Sequence, residues 1–160
     1  MTAPHLAGYT LVYVLAHNAF QLSADELKGL YAYLQGGGTV LMESCRRQTA
    51  EGAPPAEASF QEALTSLGVA LEPIRLSHRL FTEPTLFGVP PAGYETKGMT
   101  EFRLGGGVVL TNADYGCLWQ GERRGRPALR DEIRSAHEWG ANLLAFAAAR
   151  RQEAAAAKAG

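Results

Sequence analysis

An apolar run, an amphipathic segment and a second apolar run follow one another within the first 44 residues, and this order constrains the fold most. TLVYVLAHN, residues 10–18, predicts a strand buried on both faces. TVLMES, residues 39–44, predicts a second buried strand. Two such strands joined by a helix form a βαβ unit, so we expect them to lie parallel in one sheet.

The segment between the two runs has the signals of a helix with defined ends. Ser23 is a good N-cap, and Glu26 stands three residues later, as a capping box requires. Gly36 begins a run of glycines that ends the helix. The residues predicted to form its apolar face are Leu27, Leu30, Tyr31 and Leu34.

The rest of the chain alternates in the same way. We predict a loop over 45–58, a helix over 59–68 with Ser59 as N-cap, a strand over 69–74, an excursion without a sustained period over 75–100, a hairpin over 101–112, a loop over 113–127 and a long helix over 128–152. The apolar residues expected to face the core are Phe60, Leu64 and Leu67 on the short helix and Ile133, Trp139, Leu143, Leu144 and Phe146 on the long one.

This alternation predicts a three-layer α/β/α sandwich of the flavodoxin-like kind with a mostly parallel sheet. Residues 1–152 form one domain, and residues 153–160 are an alanine-rich tail that extends or frays the last helix. The first strand begins almost at once, so the strand and helix that commonly precede it in such sheets are missing from the prediction.

Composition and spacing argue against several functions. The net charge of -1 gives no reason to expect nucleic acid, and the cluster Arg123, Arg124, Arg126 and Arg130 is interpreted as a solvated face. No apolar stretch is long enough to span a bilayer, and no signal peptide is recognisable, so we expect a cytoplasmic protein without membrane insertion. The glycine runs precede strands, which is the wrong order for a nucleotide cradle.

The candidate functional residues stand where predicted strands end, because the carboxyl ends of parallel strands form a shelf for ligands. A ligand-binding shelf is predicted from His17, Asn18, Glu43, Ser44, Asn112, Asp114, Tyr115 and Cys117. His78 is interpreted as a packed, hydrogen-bonded histidine, and His137 as a helical residue at or near the surface. Asp114 with His17, His78 or Glu43 could hold a metal, but no spacing requires one, and we expect no metal or cofactor.

Cys45 follows the second strand directly and is the first candidate for a nucleophile. Arg46 and Arg47 would lower the pKa of its thiol, but no glycine flanks it to make the sharp turn of a nucleophile elbow. We therefore interpret Cys45 as a structural or loop thiol. With only one other cysteine, Cys117, and no CxxC pair, the chain has neither a disulfide framework nor a zinc ribbon.

Several stretches resemble a known family. LVYVLAHNAFQLSADELKGLYAYLQGGGTVLMES is similar to the strand–helix–strand core of class I glutamine-amidotransferase-like domains of the trehalose-utilisation type. More narrowly, LSHRLF (76–81), VVLTNADYGCLW (108–119) and EWGANLLAFA (138–147) resemble the bacterial family of unknown function DUF4159. The chain departs from that pattern at Ala16-His17-Asn18, where GHG is usual, and at Glu43-Ser44, where an acidic pair is usual. The resemblance implies a fold and leaves the activity open.

Two functions follow as expectations. The first is a non-catalytic amidotransferase-like module that binds a protein partner or self-associates, because the elbow is missing, a sheet edge lacks cover and the tail offers a helical extension. The alternative is a small hydrolase or ligand-binding enzyme that uses the shelf, with His17, Glu43, Cys45, Asp114 and Cys117 as its residues. Rapid alkylation of Cys45 below neutral pH would favour the alternative.

Overall fold

A computed structural model describes residues 3–45, 55–94 and 100–160 of the chain. These residues form a five-stranded sheet with helices and a separate two-stranded hairpin. The strands are β1 Leu11–Ala16, β2 Thr39–Ser44, β3 Glu72–Pro73, β4 Phe102–Gly105, β5 Val108–Thr111, β6 Glu122–Arg123 and β7 Arg126–Pro127. The helices are α1 Ala3–Leu6, α2 Ala24–Gln35, α3 Ala56–Ser66, α4 Arg79–Thr82, α5 Tyr115–Trp119 and α6 Arg130–Ala159.

The sheet has the strand order β1-β2-β5-β4-β3. β1, β2 and β5 are parallel, and β4 is antiparallel to both of its neighbours. Four of the five strands therefore point in the same direction, which confirms a mixed α/β fold with a mostly parallel sheet. The predicted βαβ unit is β1-α2-β2, and β4 and β5 form the predicted hairpin.

Side chains of the sheet alternate between two apolar clusters. Val40 and Met42 of β2 pack with residues of α1, α2 and α3, whereas Leu41 packs with residues of α4, α5 and α6. Because successive strand residues point to opposite faces, helices cover both faces of the sheet. The second cluster is rich in rings, and its largest fully buried side chain is Trp139.

The first strand differs from the prediction of burial on both faces. β1 is an edge strand of the described sheet, and Tyr13 and Leu15 are 38% and 42% exposed. The cluster formed with α4, α5 and α6 reaches β1 at Leu11, and the rest of that face is only partly covered, by Trp119 of α5. A continuous apolar run can therefore stand at an edge when its exposed side chains border a cleft.

Helix α2 confirms its predicted cap and corrects one residue of its face. The Ser23 side chain accepts from the Glu26 N–H, and Glu26 accepts in return from the Ser23 N–H, so the capping box is present. Tyr31 is exposed, and Tyr33 is buried in its place. The Tyr33 hydroxyl donates to the carbonyl oxygens of Tyr9 and Thr39, so its polar end is satisfied within the core.

Several predicted segments differ from the structure in their bounds or contain short elements that were not predicted. Helix α3 begins three residues before Ser59, whose hydroxyl instead accepts from the Phe20 N–H, and residues 46–54 of the predicted loop lie outside the described residues. The strand predicted over 69–74 pairs only at β3. Residues 75–100 contain α4, while 95–99 lie outside the described residues. The loop predicted over 113–127 contains α5 and the β6–β7 hairpin.

Helix α6 includes the predicted tail and runs to Ala159. Trp139 and Leu143 are fully buried, but Leu144 is 53% exposed and was wrongly placed on the packed side. The Arg151 guanidinium donates to the carbonyl oxygens of Ala7 and Tyr9, which joins the helix to the start of the chain. Among the described residues, no helix has the length and apolar character needed to cross a membrane.

The arginine cluster is exposed at Arg124, Arg126 and Arg130, as predicted for a solvated face, but Arg123 is largely covered. Arg123 forms an ion pair with Glu132, and its side chain is only 7% exposed. Arg126 makes a two-pronged contact with the same carboxylate, with N–O distances of 2.8 and 3.0 Å. These two arginines therefore join the β6–β7 hairpin to the first turn of α6.

Candidate functional site

Three parallel strands end beside one another and bring distant polar residues to one edge of the sheet. His17 follows β1, Cys45 follows β2, and Asp114 and Cys117 follow β5. In the sheet β2 lies between β1 and β5, so the residues that follow these three strands are neighbours. The sheet therefore brings these four residues to one edge, although their spacing along the chain gives no sign of it.

Glu43 is the most deeply buried acidic residue of this edge. It is fully buried, and its carboxylate accepts from the Tyr13 hydroxyl at 2.7 Å and from the backbone N–H groups of Tyr115 at 3.1 Å and Gly116 at 3.4 Å. Burial raises the pKa of Glu43 to about 7, although the hydrogen bonds from Tyr13 and Tyr115 oppose the rise. Glu43 thus fastens β1 and α5 to β2, and its oxygens already have partners.

The turn after β5 has an unusual backbone. Asp114 lies in the left-handed region, with φ 52° and ψ 54°, which few residues other than glycine adopt. Gly116 follows because a Cβ there would stand 2.5 Å from the Tyr13 hydroxyl. The turn places the carboxylate of Asp114 and the thiol of Cys117 on the same side as Cys45. Backbone outliers of this kind are concentrated at functional sites.

Cys45, Asp114 and Cys117 form a compact group of metal-ligating side chains. One donor atom from each lies within 4.8 Å of the others, and all three residues are buried. The two sulfur atoms are 3.7 Å apart, far beyond a disulfide bond of about 2.05 Å, so the two cysteines are not joined by a disulfide. Burial, followed by the charge of Asp114, raises the pKa of the Cys117 thiol. Tyr94 completes this buried cluster with the two cysteines.

The group opens onto a cleft of about 370 Å³ at the exposed face of β1. The imidazole Nδ1 of His17 is buried and has no hydrogen-bond partner among the described residues. The Tyr13 and Trp119 rings meet edge to face, with centroids 5.8 Å apart. The residues that line the cleft are Tyr13, Leu15, His17, Cys45, Asp114, Gly116, Cys117, Trp119 and Gln120. No lysine or arginine is among these lining residues, and Arg46 and Arg47 lie outside the described part of the chain.

Other predicted shelf residues are not among those that line this cleft. The Ser44 hydroxyl donates to Glu57 at 2.8 Å, and the Asn112 side chain accepts from the Glu101 N–H at 2.8 Å. Both residues line a different cavity of about 250 Å³. Tyr115 is a core residue, because its ring packs on Trp139 and its hydroxyl donates to a backbone carbonyl. Asn18 is half-buried and is not among the residues that line the cleft.

His78 and His137, the two other histidines considered from the sequence, are not among the residues that line the cleft either. His78 accepts from the Leu80 N–H at its Nδ1 atom and packs on the ring of Phe146, as the interpretation of a packed histidine predicted. His137 is exposed on α6, and its Nδ1 lies 2.9 Å from the Ile133 carbonyl oxygen. Neither histidine therefore belongs to the group around Cys45.

Sequence reasoning placed both cysteines at the same edge of the sheet but did not predict that their sulfur atoms lie side by side. It also missed Tyr13, which contacts Glu43, and it gave no reason to select Tyr94. A usable signal was present for the pair, because each cysteine comes just after a predicted buried strand of a parallel sheet. The missing information was that these two strands are neighbours.

A comparison with protein families matches residues 1–148 to the domain of unknown function DUF4159. This match covers most of the chain, so the protein belongs to the DUF4159 family. No curated protein matches the sequence significantly. Family membership agrees with the resemblance seen in the sequence, and it assigns no activity.

Proposed function

We propose that this protein binds a divalent transition-metal ion of the zinc class through Cys45, Asp114 and Cys117. The observation that carries the proposal is the convergence of two sulfur atoms and one carboxylate within 4.8 Å. Two thiolates bound to a tetrahedral zinc at about 2.3 Å each would stand roughly 3.8 Å apart. The observed separation of 3.7 Å matches that value, so an ion requires little movement of the two sulfurs.

The chemistry of the donors selects the kind of ion. Thiolates favour zinc and other soft or borderline ions over magnesium or calcium, which prefer oxygen ligands. Without a cation, burial keeps the pKa of the Cys117 thiol raised. A bound cation reverses that preference, because a coordinating thiol loses its proton. Metal binding should therefore release protons and become tighter as the pH rises.

The same features weigh against cysteine catalysis, the simplest form of the predicted hydrolase. A nucleophilic cysteine needs a lowered pKa and access to substrate. The pKa of the Cys117 thiol is raised instead, and Cys45 is only 4% exposed. The polar edge of the sheet therefore supports metal binding better than acyl transfer by a thiol.

The test is metal binding by the full chain under a non-thiol reductant, which keeps both cysteines reduced. Competition with a chromophoric zinc chelator should give one zinc ion per chain. Cys45→Ser and Cys117→Ser should each weaken zinc binding by at least a hundredfold, because each removes a thiolate ligand. Asp114→Asn keeps the side-chain shape and tolerates the left-handed backbone, so it should weaken binding less. Asp131→Asn, at an exposed aspartate on α6, is the matched control and should bind as the wild type does.

Circular dichroism of each variant checks that it is folded. A wild-type chain that binds no zinc at micromolar concentration would overturn the proposal, whatever the variants do. Undiminished binding by both folded serine variants would overturn it as well, because the ion would then lie elsewhere. The chain has no third cysteine that could substitute for either ligand.

A second candidate function is the interaction module expected from the sequence. It is favoured by β1, whose outer edge pairs with no strand among the described residues and whose Tyr13 and Leu15 are partly exposed. Unpaired strand edges recruit other strands, and an added lysine opposes such pairing. Light scattering after size-exclusion chromatography should show a defined oligomer that Leu15→Lys dissociates.

A chain ending at Gln152 separates the contribution of the tail from that of β1. A monomer at every concentration, with no partner retained in a mild pull-down of the full chain, would contradict the interaction function. An oligomer that survives Leu15→Lys but not the truncation would place the contact on α6 instead.

The finer fold class is also a proposal. The β1-α2-β2 unit and the helices on both faces support a three-layer sandwich of the flavodoxin-like, class I glutamine-amidotransferase-like type. The antiparallel β4 is compatible with it, because doubly wound sheets often carry antiparallel strands towards an edge. Superposition of an experimental structure on members of that class tests the proposal, and a different strand order would refute it.

A further inference from the structure

The metal-ligating group supplies three donors, and tetrahedral zinc takes four. Among the described residues, no fourth histidine, cysteine, aspartate or glutamate has a ligand atom within 4.8 Å of all three donors. Three protein ligands with one exchangeable position is the pattern of zinc sites that act on a ligand, whereas structural sites are closed by four. All three donors line the 370 Å³ cleft, so the fourth position has space beside it.

The walls of that cleft combine apolar surface with the buried ring nitrogen of His17. Tyr13, Leu15 and Trp119 contribute rings and an aliphatic side chain. The Trp119 indole is held in place, because its Nε1 donates to the Ala136 carbonyl oxygen at 2.9 Å. The buried Nδ1 of His17 has no partner among the described residues, and leaving such a group unpaired is costly. A bound ligand or a metal-bound water would satisfy it.

On the basis of the proposed metal site, we propose that the bound ion keeps one coordination position open to the cleft. At that position it binds a small neutral molecule that has a nitrogen donor and an N–H or O–H group. His17 is the positioning residue that receives this hydrogen bond. Two thiolates and a carboxylate carry three negative charges, one more than a divalent ion neutralises. A neutral fourth ligand is therefore preferred to an anion. The rings of Tyr13 and Trp119 favour an aromatic or other apolar body.

Cobalt(II) and imidazole are the probes for this inference. Cobalt(II) replaces zinc in thiolate sites, and its complexes with sulfur ligands absorb in the near ultraviolet. Its visible absorption bands report the number and kind of ligands. Imidazole has both a metal-binding nitrogen and an N–H group, whereas 1-methylimidazole lacks the N–H. Each is titrated into the cobalt form of the full chain, wild type beside His17→Phe.

Imidazole should shift the visible bands of the wild-type cobalt protein in a saturable way. His17→Phe should bind cobalt equally well but imidazole about threefold to tenfold more weakly, the value of one neutral hydrogen bond. For 1-methylimidazole the two proteins should differ by less than twofold. A His137→Phe variant changes an exposed histidine outside the cleft and should behave as the wild type does.

The outcomes distinguish the two proposals. Absence of the sulfur-to-cobalt band would overturn the metal site itself. A strong sulfur-to-cobalt band with visible bands that imidazole does not change would leave the metal site intact and overturn the open position, because a fourth protein ligand must then close it. A shift of equal affinity in wild type and His17→Phe would overturn the role of His17.

Discussion

Glu43 joins β1 and α5 to β2 through its hydrogen bonds, but its burial disfavours the ionised form of its carboxyl group. Its carboxyl group is fully buried, and its folded-state pKa is raised from 4.5 to about 7. The folded protein therefore holds this proton more tightly than the unfolded chain does. The contribution of Glu43 to the free energy of unfolding is therefore fully present below pH 4.5 and is lost as the pH rises through 7.

We predict that Glu43→Gln removes this loss of stability. In metal-free protein under a chelator, the wild-type free energy of unfolding should lose on the order of 3 kcal/mol from Glu43 between pH 4.5 and pH 8. The variant should lose correspondingly less over the same range, because glutamine has no proton to release. Urea unfolding at a series of pH values measures the difference.

The control for this prediction is Glu62→Gln, since Glu62 is an exposed glutamate on α3. That variant should follow the wild-type pH dependence. Parallel curves for wild type and Glu43→Gln would show that Glu43 ionises normally in the folded protein and that its burial is incomplete in solution.

Single residues also show where sequence reasoning succeeds. The Ser23–Glu26 capping box was predictable because both partners lie in one turn of the chain. The burial of Tyr33 in place of Tyr31 was not, because it depends on the hydroxyl reaching carbonyl oxygens of Tyr9 and Thr39 in other parts of the structure.

At the scale of elements, the sequence predicted that α6 is a helix but predicted only in part which of its sides is packed against the sheet. Its apolar residues are close together, so the sequence allows more than one choice of packed side. The buried residues Trp139, Leu143 and Ala147 recur at helical spacing, and the adjacent Leu144 points away from them. The choice is fixed by the rings of Phe81, Phe102 and Tyr115, which occupy the same cluster.

We predict that Leu143→Ala and Leu144→Ala differ strongly although they are neighbours. Leu143→Ala should lower the free energy of unfolding by about 2–5 kcal/mol, because it leaves a cavity in a fully buried position. Leu144→Ala should change it by less than about 0.5 kcal/mol. Chemical unfolding monitored by far-ultraviolet circular dichroism measures both variants.

The difference between Leu143→Ala and Leu144→Ala tests which face of α6 is packed. Equal losses from the two variants would mean that Leu144 is covered in solution, as it would be if this part of α6 formed a contact between chains. Repeating the measurement at two protein concentrations separates that case, since an intermolecular contact depends on concentration.

At the scale of the whole molecule, the candidate site connects parts of the chain that are far apart in sequence. Cys45 and Cys117 are separated by 72 positions, one at the end of β2 and the other in α5. An ion bound between them binds the folded state and has no preformed site in the unfolded chain. Metal binding should therefore stabilise the entire fold.

We predict that zinc raises the melting temperature of the reduced protein. At free zinc a hundred times the dissociation constant, linkage gives about 2.7 kcal/mol. For a chain of this size that corresponds to a rise of roughly 5–10 °C. Differential scanning calorimetry with buffered zinc, against a chelator blank, measures the shift.

Cys45→Ser should abolish the zinc-dependent rise, and Asp131→Asn should retain it. Stabilisation of Cys45→Ser equal to that of the wild type would assign the effect to zinc bound elsewhere. A fall in the wild-type melting temperature with zinc would mean that the unfolded chain binds the ion better than the fold does.

The sequence by itself determined the features that depend on neighbouring residues. The βαβ unit, the cap of α2, the β4–β5 hairpin and the α/β class all follow from local periodicity and turn residues. The resemblance to DUF4159 was also present in short local stretches. These features arise within one or two turns or strands, where sequence distance and spatial distance agree.

The tertiary structure decided which strand ends became neighbours. The order β1-β2-β5 places Cys45 beside Asp114 and Cys117, and the edge position of β1 opens the cleft that His17 lines. Strand order results from the packing of helices on the two faces of the sheet and from pairing between distant segments. A site assembled from such segments has no spacing along the chain, and only the folded backbone brings its atoms together.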